Sequence, residues 1–170
     1  MKKFLILFCA SGALFMAAGA EYLIECESFP VTPDIKVEPW WKASGENCLI
    51  LLKKDAVTVA DINLPEAGDY YLWVRDFTLC NNSRTAAVFI NGQKVGVFGD
   101  RMAGDGKPGI WIWTRAVKPL HLDAGKTEIK IVASGQNVRF DTLVLSSNAH
   151  FRPGGDLSKI SRLVPDAQRK

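Results

Sequence analysis

The stretch Thr85-Ala86-Ala87-Val88-Phe89-Ile90-Asn91-Gly92-Gln93-Lys94-Val95-Gly96-Val97-Phe98 sets the fold class. Two runs rich in β-branched and aromatic residues flank Asn-Gly, a dipeptide that accepts positive φ and so suits the two-residue turn of a β-hairpin. The same rhythm of short apolar run and turn continues in both directions. Upstream, Val57, Val59 and Asp61 alternate with Thr58, Ala60 and Ile62, as in a strand with two different faces. Pro65-Glu66-Ala67-Gly68-Asp69 then reverses the chain into the aromatic and β-branched run 70–77. Nearer the N-terminus, residues 22–29 read as extended. Residues 30–39 read as a loop broken by Pro30, Pro33 and Pro39, and residues 48–52 form a short apolar run. Downstream, residues 100–109 are a glycine-rich loop. Strands are expected at 110–114, 116–122, 127–133 and 140–145, with Asp123-Ala124-Gly125-Lys126 as a turn. Short strands at this spacing, with no convincing helix before residue 155, predict an all-β sandwich or barrel.

The ends differ from the middle. Met1-Lys2-Lys3, an apolar run to Ala18 and the small-x-small site Ala18-Gly19-Ala20 make a basic, an apolar and a cleavage region. The expectation is a signal peptide over residues 1–20 and an exported protein, whether periplasmic, cell-surface or secreted. Ser11 and Gly12 interrupt the apolar run, which is short for a bilayer span of about 20 residues. Cys9 leaves a lipoprotein as one alternative, against which Phe8 stands where a small residue is usual; an uncleaved anchor is the other. Residues 21–152 are expected to form a single domain. Pro153-Gly154-Gly155 opens a polar, basic segment, 153–170, read as a loosely held tail. No later run is long enough to span a membrane.

The chain has 21 Lys and Arg against 18 Asp and Glu. Lys2 and Lys3 lie in the leader, so the remainder is near neutral, with no basic stripe suited to a phosphate backbone. Nucleic acid is excluded as a partner on this ground. Cys26, Cys48 and Cys80 allow three single pairings or none. Their spacing is no zinc pattern, and the only histidines are His121 and His150. There is no Gly-x-Ser-x-Gly elbow and no glycine-rich strand-to-helix turn. No base stands near a cysteine in sequence, so no thiol nucleophile is supported. The expectation is a protein that is not an enzyme.

Glu25 and Glu27 stand two apart in the expected first strand, which would put them on one face. Carboxylates side by side repel unless a cation or solvent compensates, and calcium takes such hard oxygen ligands. A paired-carboxylate hydrolase would need them across a cleft, which neighbours on one strand do not provide. Trp40-Trp41 sits in the proline-bounded loop, so at least one indole is expected at the surface. Trp111 and Trp113 share a strand face. Trp73 and Trp113 are most simply core.

Four segments in order carry a resemblance: Ile24-Glu25-Cys26-Glu27-Ser28-Phe29, Ala67-Gly68-Asp69-Tyr70-Tyr71-Leu72-Trp73-Val74-Arg75, Gly109-Ile110-Trp111-Ile112-Trp113 with Leu122-Asp123-Ala124-Gly125-Lys126, and Arg139-Phe140-Asp141-Thr142-Leu143-Val144-Leu145. Together they resemble the galactose-binding-like β-sandwich of family 6 and family 35 carbohydrate-binding modules. The version appended to bacterial secreted FAD-dependent oxidoreductases and polysaccharide-degrading enzymes is the most similar. The resemblance covers residues 21–152 and implies a jelly-roll β-sandwich. It implies a structural calcium ion held by Glu25, Glu27 and Asp141. It also implies a sugar ring stacked on Trp111. Trp40 or Trp41 is a second aromatic candidate, and the polar candidates on the same rim of loops are Asn81, Asn82, Arg84, Arg101, Asp105 and Arg139. Arg139 stands where many sugar-binding members carry asparagine, and arginine there is what the oxidoreductase-linked version shows. Arg139 suits a uronate or sulfate held bidentately, or equally backbone carbonyls. The expected function is non-catalytic recognition of a polysaccharide or glycoconjugate outside the cytoplasm. The alternative is an envelope assembly module that binds another protein and has no glycan site.

Overall fold

In the computed structural model, Asn91 and Gly92 both take positive φ, 48° and 76°. That is the requirement of a type I′ turn, and it closes Ile90 onto Gln93. The structure describes residues 19–78, 84–99, 109–154 and 156–166. Strands β1 (Glu21–Glu25), β2 (Ile35–Pro39), β3 (Asn47–Leu51), β4 (Val57–Leu64), β5 (Gly68–Thr78), β6 (Thr85–Ile90), β7 (Gln93–Gly99), β8 (Ile110–Arg115), β9 (Leu120–Leu122), β10 (Gly125–Ala133), β11 (Val138–Ser146) and β12 (Ser161–Arg162) form two sheets.

β11 is the axis of the larger sheet. It pairs antiparallel with β5 along one edge and with β3 and then β1 along the other. β2 lies beyond β3, and β8 and β9 lie beyond β5. The smaller sheet runs β4-β10-β6-β7. Period-two alternation supplies the core. On β4, Thr58, Ala60, Ile62 and Leu64 are buried while Val57 and Val59 face solvent. Ile129 and Ile131 on β10 do the same. They meet Ile24, Leu49, Leu51, Leu72, Val74, Phe140, Leu143 and Leu145 from the other sheet in one cluster. Burying such side chains contributes roughly 1.5–3 kcal/mol each.

Four expectations change. Residues 22–29 are not one strand: β1 stops at Glu25, and Cys26–Ser28 form a single 3-10 turn. The Ser28 hydroxyl donates to the Glu25 carbonyl, a local bond that competes with the sheet ladder. Residues 35–39, expected as loop, form edge strand β2, which tolerates Pro39 because it pairs on one side only. The strand expected at 116–122 shortens to β9, after Pro119, which has no N–H to give the ladder.

The fourth change concerns Trp113, which is half-buried, and the place of Trp73, which is core as expected but in a second, separate cluster. Neither lies between the sheets. Trp73 is buried with Leu23 and Val144 on the outer face of the larger sheet, and half-buried Trp113 packs beside them. The chain after β11 covers that face. Phe151, Leu157 and Ile160 pack on it, with Phe151 edge-on to Trp73 at 6.4 Å. β12 then pairs parallel with β1, the Leu163 N–H donates to the Leu23 carbonyl at 2.8 Å, and the Leu163 side chain enters the main core. Part of the segment expected as a loose tail is therefore a strap across the sheet.

Candidate functional site

Two groups of side chains stand next to each other at one end of the larger sheet. The first is acidic. β1 pairs with β11 so that Glu25 faces Thr142, and Asp141 lies at an irregularity where the β5 register shifts between Phe140 and Thr142. Such bulges re-aim a side chain. Glu27 arrives from the 3-10 turn, so the turn brings the two glutamates together and strand alternation does not. Oxygens of Glu25, Glu27 and Asp141 all lie within 4.8 Å of one another.

Their partners are few and specific. The Ser44 N–H donates to Asp141 Oδ1 at 2.8 Å, and Arg75 Nη1 donates to Asp141 Oδ2. Ser44 Oγ donates to Glu25 Oε2 at 2.6 Å, and Thr142 Oγ1 donates to the same atom at 3.0 Å. Arg162 pairs with Glu25 Oε1 at 3.3 Å, outside hydrogen-bond geometry. Glu25 Oε1 and Glu27 Oε2 are buried with no hydrogen-bond partner. Burial, and after it the charges of Glu25 and Asp141, push the Glu27 carboxyl up to about 7. Burial also raises Asp141, against the opposing pull of the Ser44 N–H and Arg75.

These residues fit a calcium ion. The donors are all hard oxygens, two of them orphaned, and each carboxylate oxygen keeps spare lone pairs. The pocket wall is close: a Cβ on Gly45 would come within 2.0 Å of Glu27 Oε1. A side chain there would fill the cradle.

The second group is aromatic. Trp41, Lys42, Arg75, Ile110 and Trp111 line a cavity of about 210 Å³. Trp41 is 66% exposed, and Lys42 Nζ lies 4.1 Å from the centre of its ring. Trp111 is half-buried, stacks edge-on with Phe77 at 5.0 Å and donates Nε1–H to the Trp41 carbonyl at 2.9 Å. Arg75 lies 5.6 Å from the Trp111 ring. It also lines a larger neighbouring cavity of about 370 Å³ with Ser44, Trp113, Arg162 and the strap.

Of the residues singled out in the sequence, Trp41 and Trp111 share the aromatic cavity. Trp40 turns away and meets Phe77 edge-on at 5.5 Å. Arg139 stacks on Trp40 at 4.2 Å and donates Nη1–H to the Asn137 carbonyl at 3.0 Å. It does not line the cavity. Arg84 is half-buried, and its charge is near enough to lower the Arg139 pKa slightly, behind the larger effect of burial. Asn81, Asn82, Arg101, Asp105 and Cys80 lie outside the described residues. Cys26 and Cys48 are buried free thiols, and burial pushes Cys48 up to about 12.

Three residues escape the sequence reading: Arg75, Lys42 and Ser44. Arg75 alone left a signal. It sits between Trp73 and Phe77 on one face of β5, and a cation in such company needs a partner. That partner is Asp141, 66 residues away in sequence.

Comparison with protein-family models gives no match, and comparison with curated protein sequences gives none either. Solved structures do match. The C-terminal family 6 carbohydrate-binding module of a marine laminarinase from Zobellia galactanivorans is 15% identical, with a TM-score of 0.58. The match covers 74% of this chain and 98% of that one. A family 35 module from Paenibacillus barcinonensis is 19% identical at TM-score 0.58, over 74% and 98% of the two chains. A β-(1,4)-mannanase with a family 35 module from Podospora anserina is 17% identical at TM-score 0.60, but only 29% of its chain is covered. Identities this low establish architecture alone, and on that ground the chain has the jelly-roll β-sandwich fold of the family 6 and family 35 carbohydrate-binding modules.

Proposed function

We propose that this domain is a non-catalytic carbohydrate-binding module acting outside the cytoplasm. One observation carries the reading: two tryptophans and two cations, Trp41, Trp111, Lys42 and Arg75, converge on one open cavity. Sugar rings present C–H faces that match an indole, and Lys and Arg donate to hydroxyls or to an acidic substituent. The fold adds weight, because the solved structures that share it include carbohydrate-binding modules. Arg139 acts behind the site, holding Trp40 and the Asn137 carbonyl. Residues 1–20 act as the export signal.

The test is a glycan array on the mature domain beside Trp111→Ala and Trp41→Ala. Loss of a stacking partner is expected to weaken a retained glycan at least tenfold, about 1.4 kcal/mol. No retention of any glycan by the unmodified domain sinks the reading, and the envelope assembly module then takes its place.

We propose further that Glu25, Glu27 and Asp141 hold calcium. Bound there, the ion supplies the positive charge that three crowded carboxylates need. Glu25 lies in β1 and Asp141 in β11, so the same residues staple the first strand to the sheet's axis.

A pH experiment checks this. In chelator, the folded state holds the Glu27 proton up to about 7, against 4.5 for the free group. A raised carboxyl binds its proton more tightly when folded. Its stabilising contribution is therefore complete below the unfolded value and is lost as pH rises through the folded one. The chelated domain should melt lower at about pH 7.5 than at about pH 5, and calcium should remove that fall. Identical melting profiles with chelator and with calcium sink the calcium assignment.

A further inference from the structure

Residues 40–46, between β2 and β3, touch both groups of side chains. At one end, Ser44 bonds Asp141 through its N–H and Glu25 and Thr142 through its hydroxyl. Gly45 lies against Glu27 Oε1. At the other end, the Trp41 carbonyl accepts from Trp111 Nε1, and the Lys42 carbonyl accepts from Arg75 Nη2 at 3.1 Å. The same Arg75 guanidinium reaches Asp141 with its other nitrogen.

The loop does not hold this shape by preference. Lys42 and Glu46 both take positive φ, 58° and 66°. Residues other than glycine stay in that region only when their surroundings fix them. Within the loop there are three turn-type bonds: Trp40 N to Glu46 O, Ala43 N to Trp40 O, and Glu46 N to Ala43 O. The side-chain anchors come from outside. Two of them are carboxylates of the proposed cation site, and Arg75 and Trp111 belong to the cavity.

We propose that Ser44 and Arg75 couple the two sites, so that the carboxylate cluster sets the position of Trp41. With the carboxylates uncompensated, mutual repulsion loosens the acceptors to which Ser44 is tied. With a divalent cation among them, Ser44 and Gly45 are held, and Trp41 is held against Trp111. Coupling of this kind is reciprocal and spans roughly 5–150-fold in affinity. The inference rests on the calcium reading above. Ser44 is a positioning residue: it lines the neighbouring cavity and not the aromatic one.

The experiment needs no glycan. Calcium is titrated into the chelated domain by calorimetry, while acrylamide quenching follows tryptophan exposure, with Trp41→Phe isolating the Trp41 contribution. Amide exchange of residues 40–46 is measured with and without calcium. The expected result is calcium binding with reduced quenching of Trp41 and slower exchange in the loop. Ser44→Ala should still bind calcium, within about tenfold, yet lose most of the quenching change. Ser44→Thr should restore it. Calcium binding with unchanged Trp41 quenching and unchanged loop exchange overturns the coupling and leaves the calcium site standing as a staple. No heat and no thermal shift with calcium overturn the coupling and the calcium site together, and leave the glycan reading to its own array. If Ser44→Ala does not fold, exchange in the unmodified domain decides alone.

Discussion

Arg75→Met is expected to lower stability by about 3 kcal/mol in chelator, the lower end of the range for removing one partner of a buried ion pair. Asp141 is fully buried, and Arg75 is its only cationic partner among the described residues, 19% exposed in its side chain. The substitution leaves a carboxylate with the Ser44 N–H alone for compensation. The Lys42 carbonyl loses its donor as well. For a domain of this size about 3 kcal/mol corresponds to roughly 6–12 °C in Tm.

Three controls separate charge from packing. Arg75→Lys keeps a charge but not the two-pronged reach to Asp141 and Lys42, so it should recover only part of the loss. Adding Asp141→Asn to Arg75→Met should recover much of it, because the uncompensated charge is gone. The deficit should also shrink as pH falls. Burial already raises the Asp141 carboxyl, and removing Arg75 raises it further. Protonation then relieves the unpaired charge progressively as pH falls. Denaturant melts of the unmodified domain, Arg75→Met, Asp141→Asn and the double variant give the cycle. A change in Tm below about 2 °C for Arg75→Met would show that Asp141 is compensated without Arg75.

How far these contacts are legible in the sequence depends on their range. The hairpin at Asn91-Gly92 is local, and backbone sterics decide it. The alternation of β4 is local too, and the two sets it separates are the strand's two faces, although only the packed structure shows which of them is buried. Glu25, Glu27 and Asp141 are found together, but not by the expected route. Strand spacing predicts a shared face for the two glutamates, whereas the Ser28 bond to the Glu25 carbonyl ends the strand and turns Glu27 inward. β2 is hidden because three prolines mark residues 30–39 as loop, and only the pairing with β3 shows that the edge tolerates Pro39. Arg139 stacks on Trp40, a residue 99 positions away, which no spacing rule connects. Arg75 and Ser44 act only through partners brought by tertiary pairing. Trp113 reads as core because an apolar strand has two faces, and sequence alone does not say that the second is covered by a strap.

That strap carries the other large effect. Ending the chain after Ser147 is expected to leave the domain poorly folded, with a loss of several kcal/mol or insoluble expression. The deletion uncovers Leu23, Trp73 and Val144, which are buried on the outer face. Full exposure of side chains of this kind costs roughly 1.5–3 kcal/mol each. It removes Leu163 from the main core and the N–H that caps the Leu23 carbonyl. It also takes Arg162 from Glu25, so the crowded carboxylates lose one of their two cationic partners among the described residues. Finer variants keep the prediction testable if the truncation does not fold. Ile160→Asp puts a charge against the apolar face and should lower Tm by several degrees, while Arg162→Ala should change it little, because that pair is 59% exposed on the arginine side. Calcium should offset Arg162→Ala and fail to offset Ile160→Asp, since one substitution removes charge compensation and the other removes packing. A truncated domain that melts with the intact one would show that the sheet face is stable uncovered, as an unstrapped sandwich, and that the segment after β11 is an addition to a complete fold.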